Sequence, residues 1–293
     1  MSGARTRRLA VLLGPATLFL GVFFIGPLLV MVVYSFLMPG LYGGVEWEFY
    51  HWNYGRILGW ADGAWEEFNP VYVEIFLRSV RLAFTNVLVT LALCYPAAIW
   101  VSRLSPGWRA LMVFLITLPF FVSLVVRLFA WVLILRPSGF LNASLMQIGL
   151  ISEPIDILFT ETAVLVGMAY VMLPFMFLPV YASVEKLDRT LVEASGDLGA
   201  SPVQTFFRVT LPMTLPGIAA GSVLDFIPSL GNFIVPDILG GAQVMMIGNL
   251  IEQQFLSARN WPFGSALSVM VMVVMFAAII FYLARIARQE ARS

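Results

Sequence analysis

The segment Glu193-Ala194-Ser195-Gly196-Asp197-Leu198-Gly199, followed after nine residues by Val209-Thr210-Leu211-Pro212, is a polar, charged insert between two long apolar runs. The chain around it has 293 residues, of which 60% are hydrophobic and 12% charged, and its mean hydropathy is +0.90. That leaves too little polar surface to cover a soluble domain of this length, so the chain belongs in a bilayer. A spanning helix needs about 20 apolar residues. Six runs qualify: Leu9–Leu37, Val80–Val101, Ala110–Leu135, Thr162–Val184, Met213–Pro236 and Gly264–Ala284. The composition therefore predicts an all-α membrane protein of six transmembrane helices, a single domain over residues 1–293, with both termini on one side. The first run follows Arg5, Arg7 and Arg8 in the manner of a signal peptide, but it is far longer than a cleaved segment and no A-x-A-like site follows; it reads as an uncleaved first helix.

The basic residues set the orientation. Arg5, Arg7, Arg8, Arg103, Arg109, Lys186, Arg189, Arg208, Arg285, Arg288 and Arg292, eleven of the seventeen Lys and Arg, fall in alternate segments together with the polar insert. Those segments, including both termini, are expected in the cytoplasm. The opposite segments are acidic, with Glu46, Glu48, Asp62, Glu66, Glu67, Glu153, Asp156 and Glu161 among them. The loop Met38–Tyr72 is rich in Trp and Tyr, partly an interfacial aromatic belt and partly a face open to an external partner.

Several functions are excluded. The only lysine is Lys186, and no Gly-x-x-x-x-Gly-Lys precedes it, so the chain has no phosphate-binding P-loop and cannot itself be an ATPase. His51 and Cys94 are the single histidine and cysteine, which removes a Cys/His zinc site and an intramolecular disulfide; no metal site is expected. With His51 in an external loop and no Gly-x-Ser-x-Gly, nucleophilic hydrolysis is implausible. Nothing in the chain points to an enzyme or to nucleic acid.

The fifth run carries Pro216, Gly217, Gly221, Pro228, Gly231 and Pro236, and is expected to be irregular, with Pro228 freeing the carbonyl of Leu224. Unpaired backbone at membrane depth survives only in protein or beside a wet cavity, so this helix is placed at the centre of a bundle. Ser222, Asp225, Ser229 and Asn232 recur at helical spacing and form one stripe, the expected wall of a translocation path. Asp225 lies roughly 18 Å above Met213, where a carboxylate costs about 2.5–3.5 kcal/mol even on the lenient insertion scale. On the same count Arg127 lies roughly 27 Å above Arg109, and Arg81 roughly 30 Å above Val101, near the outer surface and within snorkelling reach of it. Two readings of Asp225 stay open: it meets water or a cationic substrate, or it is a protonated or paired carboxyl, with Arg127 or a neighbouring subunit as partner. Tyr170, Pro174, Phe177 and Tyr181 form a second stripe, and Tyr170 and Trp131 are either packing residues or aromatic faces for an amine cation.

The insert resembles the EAA signature of the permease subunits of bacterial ABC importers, in which Glu-Ala-Ala is followed by three residues, Gly, nine residues and Ile-x-Leu-Pro. Ser195 replaces the third residue and Val209 the Ile. The resemblance implies a type I (MetI-like) permease fold and a cytoplasmic coupling segment, residues 185–212, that docks on an ATP-binding subunit through Glu193, Ala194, Gly199, Leu211 and Pro212. In the C-terminal third, Pro228–Gly241, Ile247–Phe255 and Asn260–Leu267 are similar to the first permease of spermidine/putrescine importers, except that Asp225 stands where an apolar residue is expected. What this implies is an inner-membrane permease that forms half of the path for a small organic cation, most readily a polyamine. The implied partners are two ATP-binding subunits, a second homologous permease, a periplasmic binding protein and the lipid bilayer; no cofactor is expected in this chain, since ATP and Mg would sit on the ATPase. Alternatives are the same architecture carrying an amino-acid-like compound, a phosphonate or ferric iron, or a self-sufficient secondary transporter.

Overall fold

Apolar segments with no water to bond to must close their backbone hydrogen bonds internally, and here they do so as helices. The computed structural model describes residues 13–15, 17–60 and 68–290, with the side chains of 189, 278 and 281–290 excepted. Arg5, Arg7, Arg8, Asp62, Trp65, Glu66, Glu67 and Arg292 lie outside the described residues, as do the side chains of Arg189, Arg285 and Arg288. Among the described residues, five helices are long and apolar enough to cross a membrane: Leu13–Tyr34 (α1), Val71–Ser102, Leu124–Gln147, Glu161–Glu185 and Pro202–Leu230. The sixth apolar run lies in Trp261–Glu290, a helix of 30 residues.

The chain divides into two compact units: residues up to Glu74 together with Leu250 onward, and Ile75–Asn249. In the first unit α1 is followed by an antiparallel pair, Leu37–Pro39 (β1) and Val45–Phe49 (β2), in the register Leu37↔Phe49 and Pro39↔Val45. The sequence reading had no strand here. The tight return is made by Gly43 and Gly44, whose φ of +93° and +84° suits residues without a Cβ. Asn53, in the short helix Trp52–Ile57 (α2), is buried and donates from Nδ2 to the carbonyls of Ser35 and Leu37, both at 3.0 Å, which ties α2 to the start of the hairpin. Arg56 stacks over the Phe263 ring at 4.6 Å.

The second unit holds the rest of Val71–Ser102 (α3), Pro106–Thr117 (α4), Leu124–Leu135 (α5), Phe140–Gln147 (α6), Glu161–Glu185 (α7), Arg189–Asp197 (α8), Pro202–Thr205 (α9) and Leu211–Leu230 (α10). Two apolar clusters fill it. Leu128, Met168, Val235 and Leu239 centre one; Cys94, Ala98, Met176, Phe177 and Val180 centre the other. Cys94 is thus a small buried side chain, its thiol 3.4 Å from the carbonyl of Leu173. α7 and α10 approach closely because α10 presents glycine: a Cβ at Gly221 would stand 2.9 Å from Met176 Sδ and 3.0 Å from the Met176 carbonyl oxygen.

Two expectations need correction. The third run is not one helix: α4 gives way to a 3₁₀ turn at Leu118–Phe121 and an extended Val122 before α5 begins. Pro119 sits in that turn, and a ring without an N–H cannot continue the α-helical ladder. The fifth run, in contrast, is more regular than its prolines suggest, with α10 running through Pro216 and Pro228 to Leu230 and breaking only at Gly231. Pro228 lies on the exposed side of α10, so the bond it removes does not open the packed face.

Candidate coupling and translocation sites

The polar insert folds as two short helices joined by a tight turn. The side chain of Asp188 caps α8 by accepting from the backbone N–H of Thr190 at 3.0 Å, and that hydrogen bond holds the carboxyl below its ordinary pKa. α8 ends at Asp197 with Leu198 as its C-cap, after which Gly199 turns the chain with φ +81°. Ser201 and Gln204 then form a reciprocal capping box that starts α9. Ser195, one of the two departures from the signature, has a local explanation: its Oγ donates to the Val192 carbonyl and meets Thr205 Oγ1, each at 2.8 Å, so it ties α8 to α9. Glu193, Ala194, Gly199 and Pro212 are exposed, whereas Leu211 is half-buried against the Cys94 cluster. Leu198, Val203 and Phe207 are 89%, 65% and 61% exposed, an apolar surface with no cover in this chain.

Behind this segment lies a cavity of about 910 Å³, lined by Ile99, Arg103, Arg109, Glu185, Glu193 and Thr205 among others. Arg109 crosses its wall. It donates to Glu185 Oε1 at 3.0 Å and to the carbonyls of Ser102 and Leu104 at 2.9 and 3.3 Å, joining the ends of α3 and α7 just ahead of the coupling segment.

Two residues of the stripe on α10, Asp225 and Ser229, do not face a path. Asp225 and Ser229 have no exposed surface, and they point at α3. Asp225 Oδ1 accepts from Asn86 Nδ2 at 2.7 Å and Ser229 Oγ at 3.0 Å, and Oδ2 accepts from Thr90 Oγ1 at 2.5 Å. The carboxyl is therefore satisfied by three neutral donors from inside the chain, and neither Arg127 nor water is needed to hold it. Ser222 donates back to the Ile218 carbonyl. Asn232 accepts from the Val235 backbone N–H at 3.0 Å and caps the turn beyond α10. The reading of Asp225 as a group that meets substrate is thus replaced by that of an internal tie between α3 and α10. The sequence carried a signal for its partners: Asn86 and Thr90 are four residues apart in an apolar run, on one helix face.

Tyr170 and Trp131 do come together, edge to face at 5.7 Å between ring centres. The face of Tyr170, however, is taken by the guanidinium of Arg127, 5.7 Å above it. A cation already on that ring repels a second, so the proposed aromatic site for an amine is withdrawn. At the far end of α7, Glu161 accepts from Arg81 Nη2 at 2.5 and 2.7 Å and lies 3.6 Å from Arg78 Nε.

Residues 89–292 match the family model described as binding-protein-dependent transport system inner membrane component. The chain is 45% identical to the spermidine/putrescine transport system permease protein PotB of Haemophilus influenzae over 73% of its length and 75% of that protein. To PotB of Escherichia coli K12 it is 40% identical, over 87% of this chain and 90% of the other. The fold is similar to that in the crystal structure of a bacterial ABC transporter involved in the import of the acidic polysaccharide alginate, with a TM-score of 0.76, 19% identity and coverage of 97% and 96%. A match over more than half of the chain, on a helical fold that carries the two-helix coupling turn, places it: the protein belongs to the family of inner-membrane components of binding-protein-dependent transport systems, a multi-pass ABC permease subunit and a transport component, not a catalyst.

Proposed function

We propose that this permease forms half of the path through which an ATP-driven importer takes up a polyamine, spermidine or putrescine. The observation that carries this reading is the 45% identity to a permease of that named substrate class over three quarters of its length. Its partners in this reading are two ATP-binding subunits holding ATP and Mg, a second homologous permease and a periplasmic binding protein. ATP closes the nucleotide-binding dimer, α8 and α9 move with it through the exposed Leu198, Val203 and Phe207, and Arg109 passes that motion to the ends of α3 and α7. A ligand or nucleotide shifts such an equilibrium only by its differential affinity for the two states, so the coupling turn has to be stiff. Since Asp225 is enclosed, selection of the cation falls to the binding protein and to the partner permease. Co-reconstitution of the purified assembly tests the reading: ATP- and binding-protein-dependent accumulation of radiolabelled spermidine is expected. Uptake of an anionic or neutral solute with none of spermidine, or purification without an ATPase, overturns it.

The termini and the coupling turn face the cytoplasm in this reading, supported by the bias of basic residues. A cysteine at Ser201 is expected to stay unlabelled by an impermeant maleimide added outside spheroplasts, while one at Tyr42, which is 98% exposed at the hairpin tip, labels readily. The reverse pattern inverts the topology.

A further inference from the structure

Pro228 removes a hydrogen bond on the exposed side of α10. A proline has no N–H, so the carbonyl of Leu224, one turn below it, loses its α-helical partner. Leu224 is 48% exposed, and Pro228 is exposed beside it. The hydroxyl of Ser222 is engaged with the Ile218 carbonyl and does not replace the lost donor. Counted from Met213, Leu224 lies about 17 Å along the axis, near the middle of a hydrocarbon core of about 30 Å. Met213, Pro216, Ala220 and Gly231 are exposed as well, and at about 100° per residue they fall with Leu224 on one side of the helix, turned away from Asp225 and Ser229. The helix also ends on that side: Gly231 and Phe233 are exposed, and the N–H groups of Gly231 and Asn232 close the last turn onto the carbonyls of Ile227 and Ser229 at 3.3 Å each. This end is the negative pole of α10.

A carbonyl without a donor survives at mid-membrane only against protein or beside water, so lipid is not what covers this face. We infer that this face of α10, and not the side that carries Asp225, walls the translocation path, and that the Leu224 carbonyl accepts a hydrogen bond from the ammonium group of the passing amine. The inference rests on the importer reading above, to which it adds the surface and the acceptor. Chemistry selects the occupant. A freed carbonyl and a helix C-terminus offer acceptors and partial negative charge, which suits a cation that brings its own N–H groups and disfavours an anion. The side chains of Ala220 and Leu224 suit the methylene segments between the amines of a polyamine. With the Asp225 carboxyl enclosed, the cation meets neutral acceptors that let it leave again, as conduction requires.

The test uses the full assembly with its ATPase, second permease and binding protein. Pro228→Ala returns an N–H to the Leu224 carbonyl, and uptake of radiolabelled spermidine is expected to fall at least fivefold while ATPase co-purification and the melting temperature of the permease hold or rise, since alanine is the better helix former. In nanodiscs, Ala220→Cys and Leu224→Cys are expected to react with a positively charged methanethiosulfonate, at least threefold more slowly in excess spermidine, while Ser229→Cys stays silent; Cys94 is buried and adds no background. Wild-type uptake by Pro228→Ala removes the carbonyl from the path. Reaction of Ala220→Cys and Leu224→Cys with a lipid-soluble maleimide alone makes the face a lipid surface, and cross-linking of Leu224→Cys to the second permease with uptake retained makes it a subunit seam. Each of these overturns the inference and leaves the importer reading intact. A wild-type assembly that takes up no spermidine ends the importer reading and the inference with it.

Discussion

Gly199→Val is expected to abolish ATP-driven uptake, by a factor of ten or more, with the permease still inserted and assembled. The residue stands at φ +81°, where a side chain costs about 1–2 kcal/mol, and more when it is β-branched. No heavy atom lies within 4 Å of a Cβ built there, so the penalty comes from the backbone and not from a clash. The chain escapes the strain by opening the turn, which re-aims α8 against α9 and moves Leu198 and Val203 relative to Glu193. Coupling needs that surface held rigidly, while insertion of the apolar helices does not. Gly199→Ala meets the same φ without branching and should keep a measurable fraction of uptake. Comparing uptake with binding-protein-stimulated ATPase separates the steps: wild-type values of both in Gly199→Val would remove the turn from the coupling path.

Asp225→Leu should lose about 1–3 kcal/mol of stability, with Asp225→Asn losing less. Leucine removes the acceptor shared by Asn86 Nδ2 and the hydroxyls of Thr90 and Ser229 in a site without exposed surface. Thr90 Oγ1 keeps the carbonyls of Asn86 and Val87, and Asn86 Nδ2 keeps Ser229 Oγ, which leaves the Ser229 hydroxyl proton without its acceptor and Asn86 with one donor fewer satisfied. Asparagine keeps the size and one acceptor, and both hydroxyls can turn to accept from its amide. Thermal unfolding of the purified permease, followed with a thiol-reactive dye at Cys94, reads the difference, because that thiol is buried until the α3 and α7 packing opens. The opposite pattern, in which Asp225→Asn keeps wild-type stability but loses spermidine uptake, would return Asp225 to the translocation path.

The place of the coupling element was legible from its motif, and its caps and turn, seen only in the structure, are decided locally. Asp188 as a cap, the positive φ at Gly199 and the Ser201–Gln204 box are set by residues within four positions of each other, so near neighbours decide them. The position of Asp225 shows where that stops. Its spacing with Ser222 and Ser229 put it on one stripe of a helix, with Asn232 falling beyond the helix end, but a stripe has no direction until neighbouring helices are placed, and the side chain that looked like part of a channel wall faces Asn86 and Thr90, 139 and 135 residues away in sequence. The contact of Arg127 was hidden for a related reason: its guanidinium meets the Tyr170 ring only once α5 and α7 are packed together.

The sequence by itself determined that this chain lies in a membrane, which runs are apolar enough for its helices and where the coupling turn begins, since hydrophobic length and turn chemistry are properties of contiguous residues. The tertiary structure decided which charges are used. A buried ionisable group takes its role from whatever shares its low-dielectric surroundings, and those neighbours come from elsewhere in the fold: three neutral donors for Asp225 and an aromatic ring for Arg127.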